Sequence, residues 1–164
     1  MKIRHGSEED LPRLLEIYNH YVEHSHVTFD IERLTLAQRR EWFEAFTEKG
    51  PHRLFIVETD AGVAGYASSR AFRAKPAYER SVETSVYLAP ESGSSGFGSA
   101  LYACLLETLE GEERVHRAYG GIAIPNEASL ALHRRFGFKR VATFSEVGFK
   151  FGRYWDVAWF ERAL

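Results

Sequence analysis

The sequence predicts an α/β (α+β) fold, a mixed sheet covered by helices on both faces. Three observations carry that prediction. From Ser81 to Leu88, Val82, Thr84, Val86 and Leu88 alternate with Glu83, Ser85 and Tyr87, the period of a strand with two unlike faces. A glycine-rich stretch, Ser92-Gly93-Ser94-Ser95-Gly96-Phe97-Gly98, then opens a helix whose apolar stripe is Leu101, Leu105 and Leu109, with Leu106 beside it. Finally, the chain reads in order as strand, two helices, three strands, helix, strand, helix and two strands.

Lys2 to His5 is the first strand. Ser7 and Asp10 have the spacing of a capping box, and a helix follows to about Glu23 with Leu11, Leu14, Leu15, Tyr18 and Val22 on its apolar side. His20 and His24 on that helix lie off the stripe and read as surface residues rather than a metal pair. His26 to Asp30 is a loop. Thr35 and Gln38 open a second helix, expected to run to about Lys49 and to stop at Gly50-Pro51, with Trp42, Phe43 and Phe46 as its bulky face. Leu54 to Thr59 and Val63 to Ser69 are strands joined by the turn Asp60-Ala61-Gly62. A basic and aromatic loop, Phe72 to Tyr78, leads into the Ser81 strand, which Pro90 ends. Gly111 marks the end of the central helix. Tyr119 to Ile124 is a strand weakened by Gly120-Gly121. Asn126 caps a short helix that Gly137 stops. Arg140 to Val147 and Tyr154 to Arg162 close the chain as two strands linked by Gly148 to Arg153.

The 164 residues suit one domain, 1–164, with a real hydrophobic core. A net charge of −2 and a pI near 6.4 argue against nucleic acid as the main partner. No apolar run is long enough to span a bilayer, and Met1-Lys2-Ile3 does not begin a signal-peptide pattern, so a cytoplasmic protein without a membrane partner is expected. Cys104 is the only cysteine; mid-helix among leucines, it reads as a buried, inert thiol.

Four features bear chemistry. Glu83 and Tyr87 share one face of the strand that feeds the glycine loop. That loop and the helix start it opens can seat a pyrophosphate through free N–H groups and the helix dipole, although a plain flexible turn would look the same. Asn126 and His133 lie about two turns apart on one side of their helix. Arg73 and Lys75 come shortly before Glu83, where they could line the same pocket mouth or form an ordinary solvated basic loop.

Here the residues resemble a family. The strand, glycine loop, helix and strand followed by Asn126-x-x-Ser129-x-x-Leu132-His133-x-x-x-Gly137-Phe138 resemble the GNAT superfamily of N-acetyltransferases. Within it, Ile17 to Val22, Ala77-Tyr78 through Val86-Tyr87, and Glu146 to Arg153 are similar to the phosphinothricin acetyltransferase family, the last segment being the most specific. The likeness spans Ile3 to Phe160. It implies the GNAT fold, a mostly antiparallel sheet of about seven strands with the fourth and fifth splayed into a V. It also implies acetyl-CoA as donor, the α-amine of a small amino-acid-like acceptor, no metal, and a homodimer. By the same resemblance Val86, Tyr87 and Leu88 bind the donor and polarise its thioester, Ser94, Ser95, Gly96, Phe97, Gly98 and Ser99 hold the pyrophosphate, and Asn126 meets the pantetheine arm. Glu83 stands where the family has its general base. An ammonium must lose a proton before it can attack, so a carboxylate suits that place. His133 stands where relatives place a residue that protonates the leaving thiolate; packing beneath the sheet is its equal alternative. Arg73 and Lys75 resemble a pair facing an anionic acceptor, and Phe29 and Tyr78 resemble pocket walls. The loop departs from the family at Gly93-Ser94-Ser95, which lacks the usual basic residue.

Two other functions fit the same residues. Acetylation of a protein N-terminus needs an open groove, against which the Arg73/Lys75 loop argues. A catalytically weak acyl-CoA-binding domain draws support from the charge-poor loop and is opposed by Glu83, Asn126 and His133. A bare nucleotide-binding domain comes last, since no P-loop lysine follows the glycines.

Overall fold

The computed structural model describes residues 1–92 and 96–164. Its strands are β1 (Lys2–His5), β2 (Leu54–Thr59), β3 (Gly62–Ala71), β4 (Ser81–Leu88), β5 (Arg117–Ile124), β6 (Lys139–Lys150) and β7 (Arg153–Ala163); its α-helices are α1 (Leu11–His24), α2 (Leu36–Phe43), α3 (Phe97–Glu110) and α4 (Glu127–Arg135). The order of elements is the expected one. Among the described residues the strands form one sheet, β1-β2-β3-β4-β5-β7-β6, antiparallel throughout except between β4 and β5.

Strand alternation divides the core between two faces. Phe55, Val57, Ala67, Val82 and Ala118 point to the side covered by Leu101, Leu105 and Leu109 of α3 and Leu130 of α4. Leu54, Ile56 and Tyr66 point the other way, against Leu14 and Ile17 of α1 and Trp42 and Phe43 of α2. Arg39 is wholly buried on this second side, its guanidinium 3.4 Å above the Trp42 ring and 5.0 Å from that of Tyr66.

Three local expectations change. The helix opened by the Thr35–Gln38 capping box ends at Phe43 rather than near Lys49. Beyond that end the buried Arg53 guanidinium takes the carbonyls of Glu48 and Gly50 and holds the turn that follows. Strand β6 runs three residues past Val147, so the closing hairpin turns on Phe151-Gly152 alone, both with positive φ. Cys104 is half-buried rather than enclosed, and burial pushes its thiol up.

Candidate active site

Pairing between β4 and β5 lasts only three residues: Ser81 with Arg117, Val82 with Ala118, and Glu83 with Tyr119. The strands then part. At the point of parting the Thr84 hydroxyl donates to the Tyr119 carbonyl (3.2 Å), and its oxygen lies 2.8 Å from the Tyr102 hydroxyl. Beyond it, Ser85 to Leu88 keep β3 on one edge and have no strand on the other. A cavity of about 510 Å³ opens in this gap. The expected donor residues Val86, Tyr87 and Leu88 line one wall, Asn126 and His133 line another, and Gly96, Gly98 and Ser99 stand at its end. Phe97 is the exception on the donor side: it packs against the α3 core and does not line the cavity. Ser94 and Ser95 lie outside the described residues.

Each wall has a local cause. Gly65 lets β3 approach β4 closely, since a Cβ there would lie 2.7 Å from the Tyr87 carbonyl oxygen. The Tyr87 ring sits among those of Tyr18, Tyr21 and Tyr66, with centroids 5.2, 5.6 and 5.5 Å away. Burial pushes the Tyr87 phenol well above its ordinary range. The Tyr21 hydroxyl donates to the Leu88 carbonyl (2.8 Å) and fixes the end of the strand to α1. Gly96 caps α3 with φ +80, a conformation that needs glycine, and the first-turn N–H groups that follow have no intrahelical acceptor. Arg135 reaches across from α4 to the Ser99 hydroxyl (3.3 Å), which sets a guanidinium beside that helix start.

On α4, the Asn126 side chain accepts from the Ser129 N–H (3.1 Å) as its N-cap. His133 is buried; its Nδ1–H donates to the Ser129 carbonyl (2.8 Å), and its Nε2 has no partner among the described residues. The ring occupies space that a side chain on β5 would fill, because a Cβ at Gly120 would lie 2.4 Å from Nε2. Likewise a Cβ at Gly121 would press on the Trp159 ring at 3.0 Å. The two glycines that weaken the strand on paper are thus demanded by its neighbours. Burial lowers the His133 pKa, so its neutral form, with the proton on Nδ1, is favoured.

The expected acceptor residues lie on the opposite face. Glu83 pairs with Tyr119, and both point to the α1/α2 side. Phe72 stacks on Tyr119 (centroids 4.3 Å apart) and meets Trp159 edge-on at 6.0 Å. The Arg73 guanidinium lies 4.1 Å from the Phe72 ring, and Tyr78 stands 6.0 Å from it. Burial pushes the Glu83 carboxyl up; the charges of Arg73 and Arg70 pull it back. Lys75 is exposed at the start of the turn Pro76–Tyr78. Phe29 comes from a separate element, the loop after α1, and rests against Gly148 of β6.

A family model for the acetyltransferase (GNAT) domain matches residues 3–159. The chain belongs to the GNAT acetyltransferases. A phosphinothricin N-acetyltransferase of Streptomyces coelicolor is 55% identical to it, over 100% of this chain and 96% of that protein. The crystal structure of a phosphinothricin acetyltransferase from Sinorhizobium meliloti in complex with acetyl-CoA superposes with a TM-score of 0.93 at 30% identity, covering 99% of this chain and 88% of that one. A ribosomal-protein-alanine N-acetyltransferase from Brucella melitensis gives 0.94 at 36% identity, with both chains fully covered. Within the superfamily the chain is of the phosphinothricin acetyltransferase-like kind.

Sequence reading missed several residues that shape this candidate GNAT site. Thr84 looks like any inward strand residue, yet it sets where β4 and β5 part. Phe72 and Trp159 gather beside Tyr119, the residue that pairs with Glu83, and only the register of β4, β5 and β7 brings them there. Tyr21 and Arg135 act from neighbouring helices, where no spacing rule points to them.

Proposed function

We propose that the chain moves the acetyl group of acetyl-CoA onto the α-amine of a small amino-acid-like acceptor: phosphinothricin, methionine sulfone, methionine sulfoximine or a related L-amino acid. The division of residues between two faces is the main support. Gly96, Gly98, Ser99, Asn126 and His133 approach the β4/β5 gap from the α3/α4 side, while Glu83, Arg73 and Tyr78 sit on the other face beside the point of parting.

Acetyl-CoA supplies an activated acyl group as a thioester. The residues of the cleft fit such a group. Main-chain donors on the free edge of Val86 to Leu88 can stabilise a carbonyl oxygen that gains charge. The first-turn N–H groups of α3, those of Phe97, Gly98 and Ser99, suit a pyrophosphate, with Arg135 adding charge. Asn126 keeps its amide N–H₂ free for the pantetheine arm, since its carbonyl serves the cap. Glu83 takes the proton from the acceptor's ammonium, directly or through a water. Arg73 and Lys75 meet the acceptor's carboxylate and side-chain oxygens, and Phe29 and Tyr78 wall the pocket. His133, with its proton on Nδ1, can only accept at Nε2. Donation to a leaving thiolate would need the imidazolium, which burial disfavours, so the packing role beneath Gly120 fits better.

We also propose that residues 1–164 form one domain that works in the cytoplasm as a homodimer. Phe144, Val147, Phe149, Phe151 and Tyr154 leave the β6–β7 hairpin with large apolar side chains about half exposed, on the edge of the sheet. A second reading, acetylation of a protein N-terminus, draws on the Brucella melitensis neighbour. One assay separates these readings: thiol release from acetyl-CoA with phosphinothricin, methionine sulfone, methionine sulfoximine, ordinary amino acids and a peptide beginning with alanine. Release with the first three supports the proposal. Release with the peptide alone favours the second reading. No release, with acetyl-CoA binding seen by calorimetry, leaves a binding domain.

A further inference from the structure

The segment from Glu146 to Arg153 stands out in the sequence, yet the chemistry above gives it no task. We propose that Gly148 and Lys150 of β6 are positioning residues that clamp the loop after α1 and so fix Phe29 as a wall of the acceptor pocket. The inference rests on the reading of Phe29 as an acceptor residue.

Register brings the parts together. Gly148 pairs with Trp155, and Trp155 shares its face of β7 with Trp159 and Glu161. Glu161 pairs with Tyr119, which pairs with Glu83. Gly148 and Lys150 therefore belong to the same face of the sheet as the candidate base, and both are buried in a strand end that is otherwise exposed. A bulge precedes this stretch and keeps its face. Pairing shifts between Phe144 and Gly148, and Glu146, at φ +53, gives its N–H to the Asp156 carboxylate (2.7 Å).

Gly148 leaves room for Phe29 and for nothing else. A Cβ there would lie 2.3, 2.4 and 2.7 Å from the Cζ, Cε2 and Cε1 atoms of the ring. Lys150 holds the loop itself. It is 3% exposed, and its ammonium donates to the carbonyls of Thr28 (2.8 Å) and Tyr21 (3.5 Å). The second of these is in the last turn of α1, and the first is the neighbour of Phe29. Among the described residues this buried ammonium has no ion-pair partner within contact, only the more distant charge of Asp30; such burial is costly, and two main-chain acceptors across a loop are a specific use for it. The Phe151 ring covers the ammonium at 5.1 Å. Trp155 adds a second strap. Its indole N–H donates to the Lys150 carbonyl (2.9 Å), and its ring stacks on His26 at 4.0 Å and 6°. His26 lies 2.8 Å from the Pro125 carbonyl through Nε2, next to the cavity-lining Asn126.

Five variants of the full chain test the clamp: Phe29→Leu, Gly148→Ala, the double variant, Lys150→Met, which keeps the stem and loses the donors, and Lys150→Arg, which restores donors. Steady-state kinetics use acetyl-CoA and phosphinothricin; hydrogen exchange of amides 26–31 supplies a readout free of turnover. Gly148→Ala and Lys150→Met should each raise the KM for phosphinothricin about tenfold and leave the acetyl-CoA KM within about twofold, the pattern of lost acceptor binding. Amides 26–31 should exchange faster in Lys150→Met, with partial recovery in Lys150→Arg. The double variant should be no worse than Phe29→Leu, because the smaller side chain removes the clash and the two changes couple. If Phe29→Leu raises that KM while Gly148→Ala and Lys150→Met match wild type, the clamp is overturned and the acceptor reading survives. If Phe29→Leu itself leaves the KM unchanged, Phe29 is not an acceptor wall and the inference falls with its premise. Should Gly148→Ala not fold, Lys150→Met decides alone.

Discussion

Glu83 is pulled in opposite directions. Burial raises its pKa, and the guanidinium groups of Arg73 and Arg70 lower it again. A carboxyl raised in this way is a better proton acceptor for an ammonium. Glu83→Gln should therefore cut turnover by ~10²–10⁴-fold with acetyl-CoA binding kept. It should also raise the melting temperature at pH 7. The native state holds the Glu83 proton more tightly than the unfolded chain does, so ionisation costs native stability as pH rises through the raised pKa. The gain should vanish below pH ~4, where the glutamate is neutral in both states. Thermal melts at both pH values check this, and equal melting temperatures at pH 7 would contradict it. Arg73→Ala removes the larger of the two opposing charges, so the acidic limb of the kcat/KM profile should move to higher pH. A limb that stays put or moves down would separate Arg73 from the base. The strand face that Glu83 shares with Tyr87 was legible from alternation, and the resemblance reads Glu83 as a base. Its partners were not, since Arg70 faces it from β3 and Phe72 and Trp159 gather through pairings distant in the chain.

At the level of elements, the start of α3 and the parting of β4 from β5 make separate demands. Gly96 needs its positive φ, whereas a Cβ at Gly98 would meet nothing nearer than Leu88 Cδ1 at 3.5 Å. Gly96→Val should be severe for folding and binding alike. Gly98→Ala should fold normally, so any loss of acetyl-CoA affinity reports on the ligand alone. Arg135→Ala should weaken acetyl-CoA binding, more at low salt than at high salt, because a guanidinium on the surface is screened. Calorimetry at two ionic strengths decides it, and an unchanged affinity would remove Arg135 from the site. Thr84→Val should destabilise by about 1–3 kcal/mol, since the buried Tyr102 hydroxyl loses its partner and β5 loses a tie to β4. Denaturant unfolding measures that cost. Capping boxes and Asn126 were readable because such signals are local. The true end of α2 was not, because the contacts that hold the chain after it, such as Arg53 on the carbonyls of Glu48 and Gly50, come from outside the helix. The length of β6 was hidden too, since Phe151-Gly152 lacks the usual first residue of a tight hairpin turn.

For the molecule as a whole, the order of elements and the splayed strands followed from periodicity and resemblance, and both hold in the sheet. What periodicity cannot convey is which face each side chain reaches once seven strands are in register. That register separates the two expected residue sets and leaves the gap between β4 and β5 as common ground. It also has a kinetic consequence. If acetyl-CoA and the acceptor enter from opposite sides, as proposed, they need not wait for one another, and Cys104, the chain's one thiol, is not among the residues lining the cavity to carry an acyl group between them. Initial-velocity plots against acetyl-CoA at several acceptor concentrations should give intersecting lines, the mark of a ternary complex, with either substrate able to bind first. Parallel lines would mean that the acyl group rests on the protein, and a two-sided doorway would then have no purpose.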